Sequence, residues 1–349
     1  MTDIFPLSLF ICTVLWFLNK NLRLSFIQNL RIGPQNFHTK SISRLGGAAI
    51  YFPLLIVSYL DNSVENYAFL RTVLLCTFPI FITGLIDDLK IRVQPTTRLL
   101  LFIPTPLLLY YFVGLRIDSV GISFIDTLLQ NELFSIIFLC FSLVGMSNAF
   151  NIIDGFNGLL LSYSLTLLTS LIIGYESLSG IDWLTFNVGI FLSVFAVFIF
   201  NFPFGKIFLG DAGAYLLGVL IPVGLIKYTF DNNFSPWFVM AMLIYPFTEV
   251  LISVIRKVFF RKMSALKPDG LHFHMLVYKK ITKRVGFKKI RLRHFIVTTF
   301  MLILNTPFLI VANFFKDNSL VLQFLCIWFI VMYVLIYFVL LPKYAFKKK

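Results

Sequence analysis

Acidic side chains are scarce in this sequence. Sixteen Asp and Glu stand against thirty Lys and Arg in 349 residues, and charged residues make up only 13% of the chain while 58% are apolar. With a mean hydropathy of +0.88, so little charge excludes an ordinary soluble domain and points to an integral membrane protein. The formal charge of +14 would suit nucleic acid, but repeated apolar stretches of about 20 residues exclude a soluble nucleic-acid binder. The excess instead suits an anionic leaflet and anionic substrates. Cysteine is also sparse. Cys12, Cys76, Cys140 and Cys326 each lie alone in an apolar run, without a CxxC or a nearby His, which argues against a zinc site and a disulfide framework. Met1–Ser8 contains no Lys or Arg and includes Asp3, so the first apolar run is expected to be a membrane helix with its N-terminus outside, not a secretory signal.

Apolar stretches suited to a bilayer core recur at 3–18, 45–60, 68–86, 99–114, 132–147, 158–174, 183–201, 213–228, 237–255, 294–312 and 319–341. They predict an all-α, polytopic integral membrane protein of ten or eleven transmembrane helices, a single domain over 1–349. In that orientation the inside loops are 19–44, 87–98, 201–212, 256–293 and 342–349, and they carry 26 of the 30 Lys and Arg. Such a bias sets orientation, so the C-terminus is expected to be cytoplasmic and 256–293 to be a basic cytoplasmic loop. Most acids fall on the outer side. Asp87, Asp88, Asp154, Asp211 and Asp269 remain inside, and Glu249 lies within a span. Carboxylates brought by different helices to one basic face point to a metal or phosphate site.

Five segments compose that face. Gly84-Leu-Ile-Asp87-Asp88 ends an apolar helix in two adjacent carboxylates, of which one could accept a proton while the other orients a cation; taken alone, solvated helix-end acids explain the pair as well. Asn148, Asn151, Asp154 and Asn157 recur every three residues and run into a Gly-x-x-Gly turn, a row of oxygens suited to a hard cation and to sugar hydroxyls. Asp211, between Gly210 and Gly213, reads equally as a metal ligand or as a helix N-cap. His272 and His274 alternate as on an extended segment within the basic loop. They make a poor zinc site but suit a diphosphate as donors. His38 through Gly47, with Arg44, is by itself an ordinary basic juxtamembrane loop. Arg98 follows the Asp pair, and Glu249, an acid inside a span, needs a partner, most simply a cation on another helix.

Together and in this order, the segments resemble the polyprenyl-phosphate N-acetylhexosaminyl-1-phosphate transferase family, over His38 to about His274. The resemblance implies transfer of a sugar 1-phosphate from a UDP-N-acetylhexosamine to undecaprenyl phosphate with release of UMP. It also implies a Mg²⁺ requirement, with Mn²⁺ as a substitute, an active site at the cytoplasmic face of a bacterial inner membrane, and room for a homodimer. Position by position, it implies that Asp87 and Asp88 are the catalytic pair and that Asn151 and Asp211 hold the metal. His38, Arg44, Arg98, Asn148, Asp154, Asn157, His272 and His274 are then substrate-binding. Three departures stand out: Ile91 where an acid often follows the pair, Asn157 where many members have Asp, and Met275 in place of a third histidine. They argue against the peptidoglycan branch and leave the amino sugar open, along with the choice between direct attack and an aspartyl-phosphate intermediate.

Two rivals are weaker. A secondary transporter predicts acids near the bilayer centre and a repeat between halves, whereas these acids gather at one interface and no repeat is seen. An intramembrane aspartyl protease is suggested by Leu-Gly210-Asp211, but it needs a second Asp preceded by Tyr, and Asp87 follows Ile86.

Overall fold

The structure is a computed structural model that describes residues 3–21, 28–29, 42–60, 64–89, 91, 93–175, 180–264, 270–285 and 290–341. In chain order the helices are α1 (Ile4–Asn21), α2 (Gly46–Leu60), α3 (Val64–Asp88), α4 (Pro95–Phe102), α5 (Pro104–Leu108), α6 (Ser123–Leu129), α7 (Glu132–Ile153) and α8 (Leu159–Ile173). They continue with α9 (Gly180–Asn201), α10 (Gly210–Asp231), α11 (Trp237–Met242), α12 (Ile244–Ile255), α13 (Phe273–Val285), α14 (Ile290–Phe314) and α15 (Ser319–Leu340). The one extended pairing among the described residues is an antiparallel ladder two residues long, β1 (Gln28–Asn29) with β2 (Ile42–Ser43). The protein is therefore all-α and polytopic, as its hydropathy predicts.

Seven helices among the described residues are long and apolar enough to cross a bilayer, and α1, α2 and α8 are shorter apolar helices. The predicted stretch 237–255 is continuous in hydropathy but broken in space: Leu243 leaves helical geometry at φ −104°, ψ 14° and divides α11 from α12. Tyr163 on α8 donates a hydrogen bond of 2.8 Å to the Met242 carbonyl at this break, satisfying a group whose partner four residues on, Pro246, has no N–H to give.

At the centre stands α10, buried on nearly every face, with α3 and α7 packed along it. A helix apolar all round belongs in such a place, and small residues let its neighbours approach. A Cβ on Gly84 of α3 would lie 2.5 Å from Ala212 Cα, so only glycine fits there. The periphery is different: α15 exposes Leu320, Phe324, Ile327, Trp328 and Leu335 along its outer side, as expected of a surface facing lipid.

One end of the bundle gathers the polar motifs. The chain entering α2 is zipped to the chain entering α10: Phe208 N–H donates to Ser43 O at 2.8 Å, Gly46 N–H to Phe208 O at 3.0 Å and Gly47 N–H to Leu209 O at 2.8 Å. Arg44 is thereby fixed over the start of α10, beside the C-terminal ends of α3 and α7.

Candidate active site

Asp88, the last residue of α3, has a side chain with no solvent exposure. Its Oδ1 accepts from Asp211 N–H and its Oδ2 from Ala212 N–H, each at 2.9 Å. These N–H groups belong to the first turn of α10, which has none of its own carbonyls to bond them, and the helix dipole favours a negative charge there. Asp88 thus caps α10 from another helix. Asp211, read from the sequence as a cap or a ligand, is not the cap: α10 begins at Gly210, and its flanking Leu209 makes no side-chain cap bond. Gly210, at φ +81°, permits this entry, since any Cβ would strike the Arg44 carbonyl and the Asp88 carboxylate.

The Asp211 carboxylate is bonded elsewhere. Its Oδ1 receives Arg44 Nη2 at 2.7 Å and Asn151 Nδ2 at 3.2 Å, while Arg44 Nε donates to Asp88 Oδ1 at 3.0 Å. Burial alone would lower the Arg44 pKa, but Asp211 and Asp88 outweigh it and hold the guanidinium more firmly charged than usual. Asp154 ends α7 as its C-cap. Burial raises its carboxyl from 3.8 to about 7, with Arg44 opposing the rise and Asp211 and Asp88 adding to it. A carboxyl poised near neutrality beside a cation can carry or release a proton.

Asp87 faces another way. It accepts from Val93 N–H at 3.2 Å and from Arg98 Nη1 at 3.3 Å, and the Arg98 guanidinium lies 5.5 Å from the centre of the Tyr215 ring on α10. The two predicted catalytic acids therefore have distinct surroundings, one sealed under a helix start and one in an arginine pair.

The Asn row divides at the end of α7. Asn148 spends its amide N–H on Val144 O at 2.9 Å, whereas Asn151 reaches Asp211. Asn157 lies beyond the break, buried, with its carboxamide packed where a Cβ on Gly205 would be. Its side-chain oxygen has no hydrogen-bond partner among the described residues.

His272 and His274 are not on an extended strand, since α13 starts at Phe273 between them. Their rings lie parallel, 5.8 Å apart, and both are buried. Glu249 on α12 is their partner: Oε1 receives His272 Nδ1 at 3.0 Å and Phe273 N–H at 3.1 Å, and Oε2 receives Tyr333 O–H at 2.9 Å. The expected cationic partner is thus replaced by two histidines and a tyrosine. Burial lowers the His274 pKa, although the Glu249 carboxylate opposes it. His274 also reaches the turn that follows α7, since its Nε2 is 2.7 Å from where a Cβ on Gly155 would sit. No role for Tyr245, Tyr333 or Tyr337 is predicted from the sequence; the spacing of the last two places them one turn apart on α15, which is the signal that could have singled them out. His38 and Asp269 lie outside the described residues.

Among the described residues no three His, Cys, Asp or Glu side chains gather into a metal cage. An open site is a different matter. Mg²⁺ commonly takes one or two protein oxygens and fills its octahedron with water and substrate phosphate, and the Asp211 carboxylate beside the Asn151 carboxamide is a donor set of that kind.

The model of glycosyl transferase family 4 matches residues 70–229, which run from α3 through most of α10 and include Asp87, Asp88, Asn151, Asp154 and Asp211. The chain is 28% identical over 246 residues to the undecaprenyl-phosphate alpha-N-acetylglucosaminyl 1-phosphate transferase of Thermotoga maritima, covering 70% of this chain and 71% of that protein. It is also 28% identical over 280 residues to the phospho-N-acetylmuramoyl-pentapeptide-transferase of Borreliella burgdorferi, covering 72% and 73%. Both relatives transfer sugar phosphates by name, and the helices that carry the acids lie within the residues that match glycosyl transferase family 4.

Proposed function

We propose that the protein transfers an N-acetylhexosamine 1-phosphate from a UDP-sugar to a polyprenyl phosphate, releasing UMP and starting a lipid-linked cell-envelope glycan. The acceptor we assign is undecaprenyl phosphate and the setting a bacterial cytoplasmic membrane, with the site on the cytoplasmic side. The observation that carries this reading is the Asp211 carboxylate, held between Asn151 and Arg44 at the start of the helix that Asp88 caps, at the cationic end of the bundle. The two named relatives act on different sugars, so the donor is assigned only as an N-acetylhexosamine.

The chemistry is a phosphoryl transfer. A phosphate oxygen of the lipid attacks the sugar-linked phosphorus of the donor, the bond from that phosphorus to the bridging oxygen breaks, and UMP departs with the bond's electrons. Asn151 and Asp211 would hold Mg²⁺, or Mn²⁺ in its place, which supplies charge neutralisation at the donor's diphosphate. Asp87 takes the lipid phosphate's remaining proton or orients that phosphate, and Arg98, its partner, balances the charge brought in. Arg44 does the same at Asp211, where it holds the carboxylate in place. Asp154, Asn157 and Asn148 line the donor side of the site, and the unpartnered oxygen of Asn157 is available to a sugar hydroxyl or amide.

The test is an assay with undecaprenyl phosphate, Mg²⁺ and a panel of UDP-N-acetylhexosamines, following lipid-linked product and UMP. Metal-dependent product that disappears in Asp211→Ala supports the assignment and names the sugar; folded wild-type protein that turns over no donor overturns it.

A further inference from the structure

The Glu249 cluster lies outside the residues matched to the family, and the transfer chemistry above makes no use of it. Its construction is unusual for a structural acid. Glu249 sits on α12 just past the helix break at Leu243 and is 1% exposed, a place where an ionised carboxylate is costly unless fully bonded. Both its oxygens are bonded, by groups from two elements. The histidine segment supplies His272 Nδ1 at 3.0 Å and Phe273 N–H at 3.1 Å, and His274 Nδ1 stands 3.6 Å from Oε2. From α15 comes Tyr333 O–H at 2.9 Å. One turn further along α15, Tyr337 O–H donates to the Leu271 carbonyl at 2.7 Å, so this helix grips the same segment twice. Tyr245, one turn before Glu249 on α12, places its hydroxyl 3.4 Å from His274 Nδ1.

A carboxylate accepts and does not donate, so the ring nitrogen facing it must carry the hydrogen. Glu249 therefore fixes His272 with its proton on Nδ1, and it draws the Nδ1 of His274 the same way. The Nε2 of His274, buried and without a hydrogen-bond partner among the described residues, is left pressed on Gly155. The His274 ring also meets Phe156 edge to face, with centroids 5.7 Å apart. Asp154, Gly155, Phe156 and Asn157 form the turn that carries the donor side of the site.

We propose that Glu249 is a positioning residue of this enzyme: it sets the tautomer and placement of the His272–His274 segment, which in turn supports the Asp154–Asn157 turn against which the donor binds, with Tyr333 holding Glu249 itself. The consequence for kinetics rests on the transferase reading, whereas the consequence for the histidines does not. Acting through the turn, Glu249 affects binding of the nucleotide sugar and leaves binding of the lipid phosphate alone.

The experiment uses the full chain in lipid or detergent, as wild type, Glu249→Gln and Tyr333→Phe, with two readouts. The first is the ¹⁵N spectrum of histidine-labelled protein, which distinguishes the two tautomers; the chain has only four histidines, and His272→Gln assigns the signal. Wild type should show His272 as the single Nδ1–H form, and Glu249→Gln should show a mixture. The second is steady-state transfer. In Glu249→Gln, kcat/KM for the UDP-sugar should fall on the order of 10- to 100-fold, the scale for removing a group that orients a functional histidine, with KM for undecaprenyl phosphate unchanged. Tyr333→Phe should act in the same direction and less. A variant that merely folds poorly would lose amplitude with both KM values intact, and that result overturns the proposal, as does a wild-type tautomer in Glu249→Gln. If wild type transfers no sugar, the transferase reading fails and the tautomer comparison alone decides the positioning role.

Discussion

Two buried acid clusters lie at the same end of this bundle and are built on opposite terms. Around Asp211 the acids come from α3 and α10 and are balanced by Arg44, whose side chain keeps 20% of its surface in contact with solvent. Around Glu249 the partners are neutral or conditionally charged, and the carboxylate and both histidines are 1% exposed or less. The first cluster holds its carboxylates on one partly exposed guanidinium. In the second, both Glu249 oxygens are hydrogen-bonded, one to His272 and Phe273 and the other to Tyr333. The difference teaches that burial of an acid does not by itself mark a reacting centre: one buried carboxylate is shared with a partly exposed arginine, the other with histidines and a tyrosine sealed from solvent.

The sharpest way to break the comparison is to remove each acid in turn. Asp211→Ala should lower transfer on the order of 10³-fold, a loss far larger than its drop in stability accounts for, measured by UMP release and by unfolding temperature. Equal losses from Asp211→Ala and Glu249→Gln would erase the distinction. Asp88 should behave as a structural acid inside the first cluster. Asp88→Asn loses charge-assisted bonds to Arg44 and to the first turn of α10, and a cost of about 2–3 kcal/mol should appear as a lower unfolding temperature together with reduced activity.

Smaller effects sharpen the account. Gly84→Ala forces α3 away from Ala212 on α10 and should cost about 1–3 kcal/mol, read by thermal unfolding, since the helix that presents Asp87 and Asp88 must shift. The smallest effect is a pH slope. The Asp154 carboxyl is raised from 3.8 to about 7, so the folded protein keeps a proton that the unfolded chain has already released. Stability from this group is therefore fully present below the unfolded value and is lost as pH rises through the folded one. In Mg²⁺-free buffer the unfolding temperature of wild type should drop more between about pH 5 and 8 than that of Asp154→Asn; identical slopes would remove Asp154 from the set of perturbed acids.

Hydropathy made the helices legible, because each span must bury its backbone bonds within an apolar run. The same signal hid the break at Leu243, since a run such as 237–255 stays apolar through a kink whose freed carbonyl is met by Tyr163, 79 residues away in sequence. Asp87, Asp88, Asp154 and Asp211 could be read as one face from charge sorting, with Asn151 added by the three-residue spacing of its row, and the structure joins Asp88, Asn151 and Asp211 through hydrogen bonds. Which acid caps α10 could not be read, because the cap comes from another helix and caps in sequence are sought beside the helix they close. Glu249 was legible as an acid in need of a partner, but the partner was not: two histidines suit a phosphate as well as a carboxylate, and only packing decides.

The most direct test is Mn²⁺ binding followed by electron paramagnetic resonance with UDP-N-acetylglucosamine present, in wild type, Asp211→Asn and Glu249→Gln. The account predicts that Asp211→Asn loses the bound signal and that Glu249→Gln retains it. Wild-type binding by Asp211→Asn, or loss of binding by Glu249→Gln alone, would contradict it.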